Sequence, residues 1–132
     1  MTLVRGVAYV VRGNELLVFE QDQTARGLEV PAGRLEPGES LRAAIVREVR
    51  EEAGVEAEFV EELGMLEDVA PRYGELRVNH FVAMRTDDPR DAWSHAVTGS
   101  GDEVGLVFNC RFVPLDRELD LRPPQGAFLH RL

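Results

Sequence analysis

Three glutamates near the middle of the chain, Glu48, Glu51 and Glu52, have a spacing that suits metal chemistry. The sequence predicts a helix from Ser40 to Ala53, and on a helix residues four positions apart share a face. With Leu41 at the zero of a helical wheel of about 100° per residue, Glu48 and Glu52 fall about 20° on either side of it. Both carboxylates are therefore predicted to lie inside the apolar arc of the helix, with Glu51 on its flank.

Carboxylates inside an apolar arc need an explanation, because interior charges are costly unless they are paired or bound to a metal. A solvated surface with ion pairs is the usual interpretation of an acidic helix. It fits poorly here, since like charges four residues apart repel. Clustered carboxylates are hard oxygen ligands for Mg²⁺ or Mn²⁺, and Arg47 could orient one of them through a bidentate contact. A metal would polarise a phosphoryl oxygen and activate a bound water, so the pattern predicts metal-assisted hydrolysis at phosphorus.

The elements that must position these acids are strands arranged around one strong helix. Ser40 is the predicted N-cap of that helix and Gly54 its C-terminal stop, and a glycine-bearing loop at Ala32–Glu39 precedes it. The predicted strands are Thr2–Val11, Glu15–Glu20, Leu28–Pro31, Ala57–Val69, Leu76–Met84 and Val104–Leu115, with a short helix at Gln125–Leu132. This order predicts one domain of the α/β or α+β class over residues 1–132.

The segment from Gly33 to Val55, GRLEPGESLRAAIVREVREEAGV, resembles the Nudix box. That pattern is Gly, five residues, Glu, seven residues, Arg-Glu, an aliphatic residue, any residue, Glu-Glu, any residue, Gly and an aliphatic residue. Each defined position is filled here, by Gly33, Glu39, Arg47, Glu48, Val49, Glu51, Glu52, Gly54 and Val55. The resemblance implies an α/β fold of the Nudix type: an α/β/α sandwich with a mixed β-sheet, in which the box forms a loop–helix–loop.

The same resemblance implies roles for the residues of the box. The ligands of Mg²⁺ (or Mn²⁺) would be Glu48, Glu51, Glu52 and the carbonyl of Gly33. Arg47 would orient one of the glutamates, and Glu39 would be structural or an outer ligand. A metal-activated water would then cleave a pyrophosphate bond in a nucleoside diphosphate that is linked to another group, with ADP-ribose-like compounds or dinucleoside polyphosphates favoured.

The general base varies among members of this family, and two interpretations stay open. It is a glutamate of the box, Glu51 or Glu52, or it is an acid on a later loop. Asp102 and Glu103 are the candidates for the loop acid, because they follow the glycine-bearing loop Thr98–Gly101 and precede a strand. An ordinary surface turn is the alternative for them. We include Glu103 in the predicted catalytic set.

The predicted substrate-binding residues are Arg34, Tyr73, Trp93 and His95. Trp93 could stack on a base, with packing against the sheet as the alternative; His95 could contact a phosphate, with an ordinary loop histidine as the alternative. Within the family that the box resembles, a proline in the region of Pro71, 16 positions past Val55, is associated with ADP-ribose. A tyrosine in the region of Tyr73, 18 positions past Val55, is associated with dinucleoside polyphosphates. Each is a single loop residue, so the substrate is left open.

The formal net charge of −9, from 24 acids and 15 bases, limits the partners. It opposes a nucleic-acid interface, so the expected partner is a small-molecule nucleotide. An RNA 5′-end pyrophosphohydrolase with a local patch of Arg5, Arg12, Arg26 and Arg34 is one rival function, and a nucleotide-sensing module without turnover is another. Further acids after the helix are predicted to be solvated: Glu56, Glu58, Glu61 and Glu62.

The sequence also bears on compartment and assembly. No apolar run approaches the ~20 residues that span a bilayer, and Arg5 interrupts the apolar start of the chain, which is expected to be a strand rather than a signal peptide. The lone Cys110 allows no intramolecular disulfide and is expected to be a small buried apolar residue. We therefore expect a cytoplasmic protein without a membrane partner. A homodimer is the assembly that the resemblance allows.

Overall fold

The computed structural model describes residues 2–22, 26–70 and 74–132. Its strands are β1 (Leu3–Arg12), β2 (Glu15–Gln21), β3 (Ala32–Arg34), β4 (Glu58–Val69), β5 (Leu76–Arg85), β6 (Ala92–Ala96) and β7 (Val107–Pro114). Its helices are α1 (Leu41–Ala53) and a short 3₁₀-helix, η1 (Leu129–Arg131). The first hairpin, the helix and strands β4, β5 and β7 lie where the sequence predicts them, with ends that differ by a few residues.

The strands form one mixed sheet in the order β4-β5-β1-β2-β7-β6, and β3 pairs with the first half of β1. Strands β1 and β5 are parallel, and the other pairs are antiparallel. In this register Arg5 on β1 is the direct partner of Arg34 on one side and of Asn79 on the other. The centre of the sheet therefore joins the loop before the helix to strand β5.

The two faces of the sheet carry separate apolar cores, because neighbouring side chains of a strand point to opposite faces. Val10 packs on the face that helix α1 covers, together with Ile45 of the helix. Tyr9, the preceding residue, packs on the other face with Leu129 of η1. The mixed α/β fold expected from the box is confirmed, with the C-terminal segment as the layer opposite the helix.

That second layer differs from the predicted helix at Gln125–Leu132. It consists of turns followed by η1, which covers Leu129–Arg131 alone. Pro123 and Pro124 lack backbone N–H groups, and Gly126 disfavours a helix, so an α-helix has little support there. Tertiary contacts hold the segment instead: the hydroxyl of Tyr9 donates to the carbonyl of Gln125 and accepts from the N–H of Phe128 at 3.2 Å.

Helix α1 begins and ends at the predicted residues for identifiable reasons. The side chain of Ser40 accepts a hydrogen bond from the N–H of Ala43 at 3.1 Å, and Gly54 adopts a left-handed conformation with φ 68°. On the face toward the sheet, a Cβ at Gly6 would lie 2.8 Å from Cδ1 of Ile45. The helix therefore packs closely against β1. As a result, the turn of the helix that contains Glu48 lies beside β3.

Strands β3 and β6 were not predicted, since β3 lies within the predicted loop Ala32–Glu39. Leu28–Pro31, which was predicted as a strand, has only isolated bridges at Leu28 and Glu29. Cys110 is buried beside the helix, and burial raises the pKa of its thiol to about 12. Across residues 2–22, 26–70 and 74–132, no helix has the length and apolar character needed to cross a membrane.

Candidate active site

An acidic cleft of about 210 Å³ lies between helix α1, the end of β3 and the loop before β7. All three glutamates of the helix line it, and so do Gly33, Arg34, Arg47, Asp102 and Glu103. The fold thus brings residues of the box together with an acid of a later loop. Gly33 and Glu103, which both line the cleft, are 70 positions apart in the sequence. Of the predicted substrate residues that the structure describes, Arg34 lines the cleft and Trp93 and His95 do not.

Glu52 lies deepest in this cleft, with 3% of the residue exposed. One of its oxygens accepts a hydrogen bond from the N–H of Ala32 at 2.8 Å, and Glu103 lines the same cleft. Burial raises its pKa well above the usual value, and the charges of Glu103 and Glu48 add to that effect. The structure therefore places a carboxyl group at the base of the cleft at considerable electrostatic cost.

Glu48 lies one turn before Glu52 on the same face, and its side chain is 13% exposed. Burial raises its pKa to about 7, and the nearby acids Glu51 and Glu103 contribute, although Arg47 opposes the shift. Gly33 packs directly against it: a Cβ at this position would lie 2.0 Å from Cδ of Glu48. Because no side chain fits between them, glycine is required for the backbone of β3 to approach this carboxylate.

Arg47 connects the loop before the helix to the acids of the cleft. Its Nε and Nη2 donate to the two oxygens of Glu39 at 2.8 and 2.9 Å, as a bidentate pair. Its Nη1 donates to Glu48 at 2.8 Å and to Glu51 at 3.2 Å. Arg47 in turn lowers the pKa of Glu39 by hydrogen bonding. The guanidinium therefore orients two cleft carboxylates while Glu39 holds it in place.

The loop before β7 closes the other side of the cleft through Glu51. The N–H of Thr98 donates to the backbone carbonyl of Glu51 at 3.1 Å. A Cβ at Gly99 would lie 2.5 Å from Cδ of Glu51, and its φ of +99° also favours glycine. This contact directs the following residues toward the helix, so that Glu103 reaches Glu52 while Asp102 stays exposed at the rim.

Trp93 and His95 have a different place from the one predicted for substrate-binding loop residues. Both lie on strand β6. The indole N–H of Trp93 donates to the carbonyl of Ala53 at 2.8 Å, and Nε2 of His95 is 3.0 Å from the carbonyl of Glu51. These carbonyls belong to the last turn of α1, where helix carbonyls lack intrahelical partners. The two side chains therefore hold the C-terminal end of the helix against β6. They line neither the acidic cleft nor a second cleft that adjoins it.

Pro71 and Tyr73, which the sequence associates with different substrates, lie outside the described residues. Structural arguments about ADP-ribose-like and dinucleoside polyphosphate substrates therefore use other residues.

A second cleft of about 440 Å³ adjoins the acidic one and shares Glu52, Asp102 and Glu103 with it. Its other lining residues are four arginines, two amides, one acid and six apolar residues: Arg5, Arg26, Arg77, Arg122, Asn79, Gln125, Glu29, Val7, Phe19, Val30, Ala32, Pro123 and Pro124. We call it the arginine-lined cleft. The sequence indicated Arg5 and Arg26 only as members of a loose basic patch, and it gave no signal for Arg77, Asn79 or Arg122. These three come from β5 and the C-terminal segment, and chain topology alone brings them together. The volume is within the range of about 300–1,000 Å³ typical of ligand clefts.

The acidic cleft has the chemistry of a divalent-cation site. Among the described residues, however, no three Asp, Glu, His or Cys side chains already lie in the geometry that holds a metal ion. Glu48 and Glu51 meet on a single nitrogen of Arg47. Burial raises the pKa of both Glu48 and Glu52, so a bound cation would offset the cost of their negative charges. The oxygen donors and the lack of sulfur or imidazole suit Mg²⁺ or Mn²⁺.

Comparison with known proteins gives consistent results. A model of the NUDIX domain matches residues 2–132. Nudix hydrolase 3 of Caenorhabditis elegans is 37% identical over 86 residues, which make up 65% of this chain and 33% of that protein. The NAD-capped RNA hydrolase NudC of Stutzerimonas stutzeri is 45% identical over 51 residues, 38% of this chain and 18% of that protein. The chain thus spans a third or less of the length of these curated relatives.

Among solved structures, a MutT NUDIX hydrolase from Burkholderia pseudomallei is similar over its whole length. The TM-score is 0.70 at 20% identity, with 100% of this chain and 98% of that chain covered. At this identity the likeness shows that the fold is shared.

Proposed function

Because the chain belongs to the Nudix family, we propose that it is a pyrophosphohydrolase that uses Mg²⁺ or Mn²⁺ to cleave a nucleoside diphosphate linked to another group. The observation that carries this proposal is the pair Glu48 and Glu52, two carboxyl groups on one buried face of α1 whose pKa values burial raises. A module that only senses nucleotides would have no need to retain such acids.

A divalent cation bound by Glu48, Glu51, Glu52 and the carbonyl of Gly33 would supply electrophilic assistance at a phosphoryl oxygen and would acidify water. The chain's own residues prepare this site. Arg47 keeps Glu48 and Glu51 directed into the cleft, and the N–H of Ala32 holds one oxygen of Glu52. Each carboxylate therefore has a restricted orientation before any ligand binds, which reduces the reorganisation that binding requires.

We assign the general base to Glu103, which is the loop candidate from the sequence. It is half-buried and lines both clefts beside Glu52. Glu52, in contrast, is almost fully buried and has one oxygen occupied by a backbone N–H. A base must receive a proton from water and release it to solvent. Glu103, at the junction of the two clefts, has the access that this cycle needs.

The adjoining arginine-lined cleft supports a small nucleotide as substrate, since it offers arginines next to the acids on a chain with a net charge of −9. The similarity to the S. stutzeri NAD-capped RNA hydrolase favours a second candidate, the NAD cap of an RNA end. ADP-ribose, dinucleoside polyphosphates and NAD share a pyrophosphate between two groups. A cytoplasmic location and a homodimer remain predictions that accompany this function.

A substrate panel assayed with Mg²⁺ and with Mn²⁺ tests the proposal. The panel contains ADP-ribose, NAD, diadenosine polyphosphates, nucleoside di- and triphosphates, NAD-capped RNA and triphosphorylated RNA. We expect metal-dependent release of a nucleoside monophosphate from at least one compound with a bridging pyrophosphate. Tight binding of one compound with turnover of none would instead support the sensing module.

A further inference from the structure

Arg5 lines the arginine-lined cleft and is half-buried. Within the described part of the chain its guanidinium forms no hydrogen bond or ion pair. Two other arginines of the cleft are paired: Arg77 forms a bidentate pair with Asp68, and Arg122 pairs with Glu29 at 3.3 Å. Arg26 is exposed to solvent. A partly buried charge without a partner is unfavourable for stability, so its presence calls for a ligand that pairs with it.

The electrostatic surroundings of Arg5 support an anionic ligand. Burial lowers its pKa, and the positive charge of Arg77 adds to this effect, while the charges of Glu52, Asp68 and Glu103 oppose it. Arg5 therefore lies within the electrostatic reach of both acids that join the two clefts. An anion bound at Arg5 would be next to the acidic cleft, where the pyrophosphate of a substrate is expected.

Asn79, the direct partner of Arg5 across β1 and β5, provides an independent observation. It is 0% exposed, and its Nδ2 donates to the carbonyl of Leu66 at 3.1 Å and to Asp68 at 2.8 Å. These two acceptors determine the orientation of the amide. Among the described residues, Oδ1 of Asn79 is the one buried side-chain nitrogen or oxygen atom that has no hydrogen-bond partner. A buried acceptor of this kind is unfavourable by about 1–3 kcal/mol unless a donor reaches it.

We infer that Arg5 and Asn79 form one substrate subsite. The acidic cleft holds one half of the substrate, and this subsite binds the other half, which carries a phosphate. Arg5 binds a phosphate oxygen, and Oδ1 of Asn79 accepts a hydrogen bond from an O–H or N–H group on the same half. This inference rests on the proposed function and names its substrate class: a nucleotide or sugar phosphate whose donor group lies a short distance from the phosphate. The donor is a sugar hydroxyl or the amine of a base.

Binding of AMP without divalent metal tests the anionic part, because it requires no turnover. Titration calorimetry would compare the wild type with Arg5→Met and with the control Arg111→Met. Arg111 pairs with Glu20 at 2.9 Å and lines neither cleft, so the control changes the net charge equally. We expect the Kd for AMP to rise about tenfold or more for Arg5→Met, as for one lost charge-assisted hydrogen bond, and less than about twofold for the control. Equal effects in both variants would overturn the assignment of Arg5.

Ligand variants test the role of Asn79 and identify the donor. The wild type would be titrated with AMP, with 2′,3′-dideoxy-AMP, which lacks the sugar hydroxyls, and with purine riboside 5′-monophosphate, which lacks the amine. We expect one of the two analogues to bind at least about fivefold more weakly than AMP, and the difference to disappear in Asn79→Ala. Equal binding of all three by the wild type would overturn the hydrogen bond to Oδ1 whether or not the variant folds.

The two proposals can fail separately in these experiments. An inactive protein whose AMP binding depends on Arg5 would retain the subsite and refute the hydrolase. An active protein whose KM for its best substrate is the same in the wild type and in Arg5→Met would retain the hydrolase and refute the subsite.

Discussion

The acids of helix α1 and the acids that follow the helix, Glu56 and Glu58, are close in the sequence but have opposite environments. Glu52 is buried and the side chain of Glu48 is only 13% exposed, and burial raises the pKa of both. Glu56 and Glu58 have side chains that are 72% and 73% exposed and pair with Arg50 and Arg85. Hydrogen bonding to Arg50 lowers the pKa of Glu56. The prediction that the acids after the helix are solvated is thus confirmed for Glu56 and Glu58.

The difference shows that the environment of a glutamate, and not its residue type, separates a candidate ligand from a surface charge. Exposed ion pairs are screened by water and contribute little to stability. Buried carboxylates close to one another carry an electrostatic cost, and a divalent cation would relieve it. Mutations at matched positions in the two regions should therefore have very different effects.

The largest contrast should come from Glu52→Gln set against Glu58→Gln. The glutamine keeps the size of Glu52 and can still accept from Ala32 N–H, so the fold should be maintained. We expect kcat on the best substrate of the panel to fall about a hundredfold or more, as for an essential electrostatic group. Glu58→Gln should stay within about twofold of the wild type. Near-normal turnover by Glu52→Gln would refute the proposed metal site.

A smaller contrast is expected from Arg47→Lys and Arg50→Lys, one turn apart on the helix. Lysine cannot reproduce the contacts that Arg47 makes with Glu39, Glu48 and Glu51. Turnover should fall about tenfold, and the Mg²⁺ concentration for half-maximal rate should rise, because the carboxylates lose their orientation. Arg50→Lys alters an exposed pair with Glu56 and should leave both quantities unchanged. Equal loss in the two variants would indicate a general effect of the helix surface.

The stability of the metal-free protein should depend on pH through the buried acids. Burial raises the pKa of Glu48 from its ordinary value of 4.5 to about 7, so the folded state binds more protons than the unfolded state between these pH values. Stability should therefore fall as pH rises from about 4.5 to 7, by up to about 3 kcal/mol from Glu48. Mg²⁺ should restore the Tm at pH 8. A Tm of the metal-free protein that rises over this range would contradict the burial of these carboxyl groups.

The smallest effect should come from the exposed pair itself. Replacing Glu56 with Gln removes its hydrogen-bonded ion pair with Arg50. Because such surface pairs contribute little, we expect the Tm to change by less than about 3 °C and turnover to remain normal. Thermal melts at low and high salt would check this expectation. A salt-sensitive loss of many degrees would show that the pair supports the end of the helix.

Much of the fold and of the acidic cleft could be predicted from local signals. The helix boundaries follow from Ser40 and Gly54, whose cap contacts require only neighbouring residues. The inward direction of Glu48 and Glu52 follows from the helical period, and it is the same in the folded chain. Strand β6 had no such signal, because its five residues include one large apolar side chain, Trp93, and no clear alternation.

By itself, the sequence determined which residues could do metal chemistry and which helix would carry them, because capping and periodicity act over a few residues. The tertiary structure alone decided their partners. It placed Glu103 in the same clefts as Glu52, turned Trp93 and His95 onto the last turn of the helix, and built an arginine-lined cleft from β1, β5 and the C-terminal segment. These contacts depend on the parallel pairing of β1 with β5 and on burial at long sequence separation. No local pattern encodes such contacts, since their stability comes from packing between segments that meet only in the folded chain.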